Sequence, residues 1–141
     1  NWLQSITNAL DKLLLPKSKK INNPSLKIKT YQCPLKKIWE TPSTNQTLTV
    51  LAIYLNKNTI ILGVSAEIVS AYSLTLQSLF PNMTLIPVGY MGSVFGYWPT
   101  QSMLKEGGYE VNGFLTGFSI TGSFKNSLET SFKTMINQVI S

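Results

Sequence analysis

Thr59-Ile60-Ile61-Leu62-Gly63-Val64-Ser65-Ala66-Glu67, followed later by Pro81-Asn82-Met83-Thr84-Leu85-Ile86-Pro87-Val88, frames the stretch that decides the fold. The first run is apolar and β-branched as far as Val64, which suits a strand. Residues 66–80 place Ile68, Val69, Tyr72, Leu76, Leu79 and Phe80 near one helical face, and Pro81-Asn82 closes that helix. Residues 83–88 read as a second short strand, buried. Strand, helix, strand in this order predicts a parallel pair joined by a right-handed crossover. Ligands of such sheets gather at the C-terminal ends of the strands, here residues 63–67 and 89–100.

Working outward, residues 48–55 pair with residues 59–64 as a hairpin across Asn56-Lys57-Asn58. Upstream, Leu26, Ile28, Thr30 and Gln32 alternate with Lys27, Lys29, Tyr31 and Cys33 in a strand whose end Pro34 demotes to an edge or a turn. Residues 17–24 and 41–47 are polar loops. Trp2, Leu3, Ile6, Leu10, Leu13 and Leu14 recur at helical spacing, a packing stripe that Pro16 ends. Downstream, residues 89–99 form a loop rich in Gly and aromatics. Thr100 caps a short helix through Glu106, stopped by Gly107-Gly108. Residues 114–121 are ambiguous, and Phe124, Leu128, Phe132, Met135, Ile136 and Val139 predict a last helix. The whole reads as one α/β module over residues 1–141, a mixed sheet flanked by helices and part of a larger catalytic domain.

Composition narrows the chemistry. The chain has 141 residues, of which 43% are hydrophobic, enough for a core. Only 13% are charged, which predicts either a surface covered by another chain segment or an exterior of neutral polar residues. The net charge is +6 and every cation is Lys. Nucleic-acid binding is not expected, because Arg supplies the bidentate grip on bases and phosphates. Cys33 is the single cysteine, so there is neither an internal disulfide nor a multi-cysteine zinc site. Asn45-Gln46-Thr47 and Asn82-Met83-Thr84 match a glycosylation signal that means little in so Asn- and Thr-rich a chain. No run approaches the ~20 apolar residues of a membrane span. The chain opens on Asn1, so a preceding portion is expected. Histidine is absent, which removes Ser-His-Asp and Cys-His catalysis from within this sequence. The carboxylates are Asp11, Glu40, Glu67, Glu106, Glu110 and Glu129.

Taken singly, the candidate residues are unspecific. Glu67 at the end of an apolar strand suits a metal-ligating carboxylate, and suits equally a carboxylate stabilising a helix N-terminus. The loop around Gly96 and Tyr97 reads as a tight turn packed by its own aromatics, and Tyr109-Glu110 as the extended stretch after a helix cap. Their order is more telling. Gly63-Val64-Ser65-Ala66-Glu67, then Gly96-Tyr97-Trp98-Pro99-Thr100, then Glu106-Gly107-Gly108-Tyr109-Glu110 resembles the neutral/alkaline ceramidase family and its bacterial and archaeal relatives, over roughly residues 26–112. The resemblance implies a zinc held by Glu67 and Tyr97 together with two histidines from an earlier portion of the protein. It implies Tyr109, Glu110 and Gly96 as supports, a lipid amide such as an N-acylsphingosine as substrate, and a secreted or periplasmic location. It also implies that this chain alone is inactive. Ser65-Ala66 stands where relatives have Pro-Gly, and Gly92 where relatives often carry Asn. The alternative is a non-catalytic binding module that uses the Lys-rich surface and the aromatic loop.

Overall fold

The computed structural model describes residues 27–41 and 46–140. The expected helix over Trp2 to Leu14, the loop at residues 17–24 and the sequon residue Asn45 lie outside them. Four strands form the main sheet in the order β1 (Lys27–Pro34), β3 (Thr47–Tyr54), β4 (Thr59–Val64) and β6 (Thr84–Val88). β1–β3 and β3–β4 are antiparallel, and β4–β6 is parallel. The β3–β4 turn is tied by Asn56, whose Oδ1 accepts the N–H groups of Asn58 and Thr59, both at 2.9 Å. A side-chain acceptor of this kind takes the place of a backbone turn bond.

Between the parallel strands the chain forms a two-residue strand β5 (Glu67–Ile68) and then helix α1 (Ala71–Leu79). The helix expected from residue 66 therefore begins five residues late. Glu67 and Val69 donate their N–H groups to the carbonyls of Gly96 and Trp98, and Glu67-Ile68 pairs with β7 (Tyr97–Trp98), so these residues are extended. Phe124 is a second correction, since it lies in β8 (Ser123–Phe124), paired with β2 (Trp39–Glu40), ahead of the last helix. That helix, α4 (Leu128–Ile140), buries Leu128, Phe132, Met135, Ile136 and Val139 as the spacing predicts. Two shorter helices, α2 (Met103–Glu106) and α3 (Phe114–Gly117), lie between them. Met103 N–H reaches Thr100 Oγ1 at 3.3 Å, and Gly107 takes φ +76 to end α2.

Register sorts the sheet into two faces. One carries Tyr31 and Cys33, Leu48, Val50 and Ala52, Ile60, Leu62 and Val64, and it is buried beneath α4 and α1. Both helices lie on this side, because the Tyr72 ring of α1 stands 4.3 Å from Phe132 of α4. The Tyr54 hydroxyl donates to the Val139 carbonyl at 2.6 Å and satisfies one of the open carbonyls at the end of α4. The opposite face keeps Ile28, Leu51, Ile53, Ile61, Ile86 and Val88. β6, expected to be buried, is an edge strand with alternate residues exposed. No helix among the described residues is long and apolar enough to cross a membrane.

Leu62, with no exposed surface on a central strand, tests the core directly. Leu62→Ala should cost about 2–5 kcal/mol of stability, read as a lower urea midpoint at unchanged slope. Burial pushes the Cys33 thiol up, Lys37 opposing. Since the thiolate is the reactive form, Cys33 should resist Ellman's reagent in the folded chain and react only after denaturation.

Candidate metal centre

The sheet of β5 and β7 sets Glu67 beside Tyr97 and Ile68 beside Trp98 in parallel register. Glu67 N–H donates to the Gly96 carbonyl at 2.8 Å and Val69 N–H to the Trp98 carbonyl at 3.4 Å. Neighbours in such a ladder project their side chains from the same face. The Tyr97 and Tyr90 hydroxyls both lie near the Glu67 carboxylate, which holds their protons in place. Glu67 is half-buried and lies on a strand, so the helix N-terminus does not account for it.

These contacts set the acidity of the phenols. Tyr97 is pushed up from 10.0 to about 12, first by its hydrogen bond to Glu67, then by desolvation and by the charges of Glu67, Tyr90 and Tyr109. Tyr90 is raised for the same leading reason. Ionising either phenol removes the donated proton and places two negative charges together.

The base beneath the cluster is aromatic and rigid. Phe95 is buried edge-on against Trp39 at 5.2 Å, Phe124 at 6.3 Å and Phe114 at 6.4 Å. The Trp39 indole donates to the Thr121 carbonyl at 2.8 Å. Gly96 follows at φ +147, and a Cβ there would collide with the Phe114 ring. Glycine is therefore required where the chain turns out toward Tyr97. On the other side, Ser65 Oγ accepts the Thr49 N–H at 2.7 Å while Ser65 N–H donates to the Thr49 carbonyl at 2.9 Å. A proline at this position has neither donor nor acceptor for this exchange, so Ser65 is built into the local structure. Tyr72 donates to the Pro99 carbonyl at 2.9 Å, and burial, then Glu129, push its ionisation far up, Trp98 opposing. The Trp98 indole N–H, buried near that hydroxyl, has no well-aligned partner among the described residues.

Of the residues singled out from sequence, Glu67, Tyr97 and Tyr109 meet. The Tyr109 ring stands edge-on to Tyr97 at 5.6 Å, at the head of a π-helical turn (Tyr109–Gly113). Gly96 positions the group. The Glu110 Oε2 lies 3.8 Å from where a Cβ on Gly108 would stand. Tyr90, not singled out from sequence, is the added member. It takes φ +58, a strained backbone for a tyrosine, and its N–H bonds the Ala66 carbonyl at 3.2 Å. Tyr90 and Tyr109 are more than half exposed, so the cluster opens to solvent.

The donors suit part of a zinc sphere. A catalytic zinc is held by several protein ligands and keeps a position open for water. The oxygens of Glu67 and Tyr97 supply two in one direction, and no group of three His, Cys, Asp or Glu exists among the described residues.

Glu67→Gln removes the charge that holds the Tyr97 proton, so the Tyr97 pKa should fall from about 12 toward 10.0, measured by NMR of ring-labelled tyrosine. Because the folded value is the higher one, the Tyr97 contribution to stability is complete below pH 10.0 and fades as pH rises through about 12. The Glu67→Gln variant should lose that pH dependence. Gly96→Ala should destabilise the fold and displace Tyr97, which would abolish the elevated pKa.

No family model, curated protein or solved structure matches this chain.

Proposed function

We propose that this chain is part of a zinc-dependent amide hydrolase resembling the neutral/alkaline ceramidases, with Glu67 and Tyr97 as two of the metal's ligands. One observation carries this reading: two oxygen donors 30 residues apart in sequence are register partners, and the Glu67 carboxylate raises the ionisation of the Tyr97 phenol beside it. A resemblance of short sequence elements does not require that pairing, and a structural carboxylate does not need two phenols trained on it.

Bound zinc supplies a Lewis acid and an activated water for attack on an amide carbonyl. The residues of this chain prepare for that. Glu67 brings a carboxylate already oriented by two phenols. Tyr97 keeps its proton at neutral pH and gives it up only to a stronger partner for the same oxygens. Tyr109 closes one side of Tyr97, and Tyr90 stands at the solvent edge. The remaining nitrogen ligands come from a His-bearing portion outside this sequence, and the chain alone does not turn over a lipid amide.

Calorimetric titration of the chain with zinc should show weak binding that Glu67→Ala abolishes. Tight one-to-one binding by the chain alone contradicts the reading, because two donors do not make a complete site. In the protein that includes the His-bearing portion, Glu67→Ala should lower hydrolysis of a fluorogenic N-acylsphingosine by at least about 10–100-fold, the range for lost support of a metal. Unchanged turnover would end the assignment.

A further inference from the structure

Helix α4 packs against strand β1, and the two leave a cleft of about 170 Å³ between them. Alternation along β1 sends Tyr31 and Cys33 to the same face, toward the helix. Thr130 and Thr134, one turn apart on α4, form the facing wall with Ser131. Lys37, the last residue of the turn Leu35–Lys37, also lines the cleft, and Met135 is buried at its floor. Lys37, Thr130 and Thr134 are exposed, so the cleft opens to solvent.

Its polar groups are matched to a negative guest. The Lys37 ammonium stands near enough to Cys33 for its charge to act on the thiol. Among the described residues no carboxylate lines the cleft. Glu129, its neighbour on α4, is turned to the Gln101 N–H, which its Oε1 accepts at 3.3 Å. Lys125 Nζ donates to the Lys36 carbonyl at 2.8 Å, one residue before Lys37, and Lys133 adjoins Thr134. Charges of one sign around a concavity concentrate the field on a counter-ion. The Thr134 hydroxyl donates to the Thr130 carbonyl at 2.9 Å and the Cys33 thiol to the Pro34 carbonyl at 3.7 Å, so neither proton is offered to a guest. The hydroxyls of Tyr31, Thr130 and Ser131 have no hydrogen-bond partner among the described residues.

We infer that this cleft binds a phosphate group, free or as the end of a small monoester. Room and geometry both favour that guest. At ~30 Å³ per water-sized group, 170 Å³ holds about five or six, enough for a phosphorus with its oxygens and one bridging atom. The donors come from a strand, a helix and a turn, a three-dimensional set that suits a tetrahedron, and Lys grips phosphate as a point charge. A planar carboxylate is better matched by the flat fork of Arg, which this chain lacks.

The inference stands apart from the zinc assignment and is tested without metal. In the full 141-residue chain, NMR titration with inorganic phosphate should give saturable shifts at Cys33, Ser131 and Thr134 that sodium chloride of matched ionic strength does not reproduce. Lys37→Gln should weaken binding at least about tenfold, the loss of one hydrogen bond to a charged group. Ser131→Ala should weaken it less, and Lys57→Gln, in the β3–β4 turn, should leave it unchanged. Unaltered Leu62 and Val64 methyl signals establish that each variant is folded. Methyl phosphate that binds tighter than inorganic phosphate identifies the guest as a monoester, and weaker or equal binding identifies it as free phosphate. Shifts that chloride reproduces, binding that survives Lys37→Gln, equal weakening by Lys57→Gln, or tighter binding of acetate would each overturn the inference.

Discussion

Two backbone hydrogen bonds, from Glu67 to Gly96 and from Val69 to Trp98, tie the end of the central strand to a segment thirty residues downstream. The geometry of the site depends on them. They stop residues 67–69 from joining the helix, and they align a carboxylate with a phenol across a ladder. The short strand pair gains little by itself. It persists because the aromatic group of Trp39, Phe95, Phe114 and Phe124 fixes one side and the Ser65–Thr49 exchange fixes the other. Aromatic pairs of this kind add ~0.5–1.5 kcal/mol each beyond the area they bury, so the loop is held by packing more than by its own hydrogen bonds.

Much of this is readable from the residues in order. The hairpin across Asn56-Lys57-Asn58, the crossover between Ile60 and Val88, and the stripe of the last helix all follow from side-chain period, which local sequence states directly. Two of the departures share one cause. Glu67-Ile68 and Phe124 read as helical because their spacing continues a helical pattern, yet each is claimed by a distant partner strand, and pairing at that range leaves no local trace. β6 reads as buried because an apolar run looks the same whether one face or two is covered. Tyr90 escapes notice because its role depends on a positive φ, set by contact of its N–H with Ala66. Its only sequence signal is a place in a loop of glycines and aromatics.

The four-stranded sheet carries α1 and α4 against one of its faces, with two small two-stranded sheets beside it. The cluster of Glu67, Tyr90, Tyr97 and Tyr109 lies past the carboxyl end of β4, where open α/β sheets place their chemistry. Its donors are all oxygens. An all-oxygen set is a modest ligand for zinc without nitrogen partners, and the sequence contains no histidine.

The loop from Tyr90 to Phe95 is pinned at both ends and slack between them. Tyr90 and Met91 bond the strand at Ala66 and Val64, Phe95 bonds Ser65, and Gly92 and Ser93 stand in the open, with nothing near a Cβ added at Gly92. A segment fastened in that way can lengthen or shorten at its crown during evolution without moving the atoms it delivers. Insertion and deletion at this crown would thus leave Glu67 and Tyr97 where the ladder puts them.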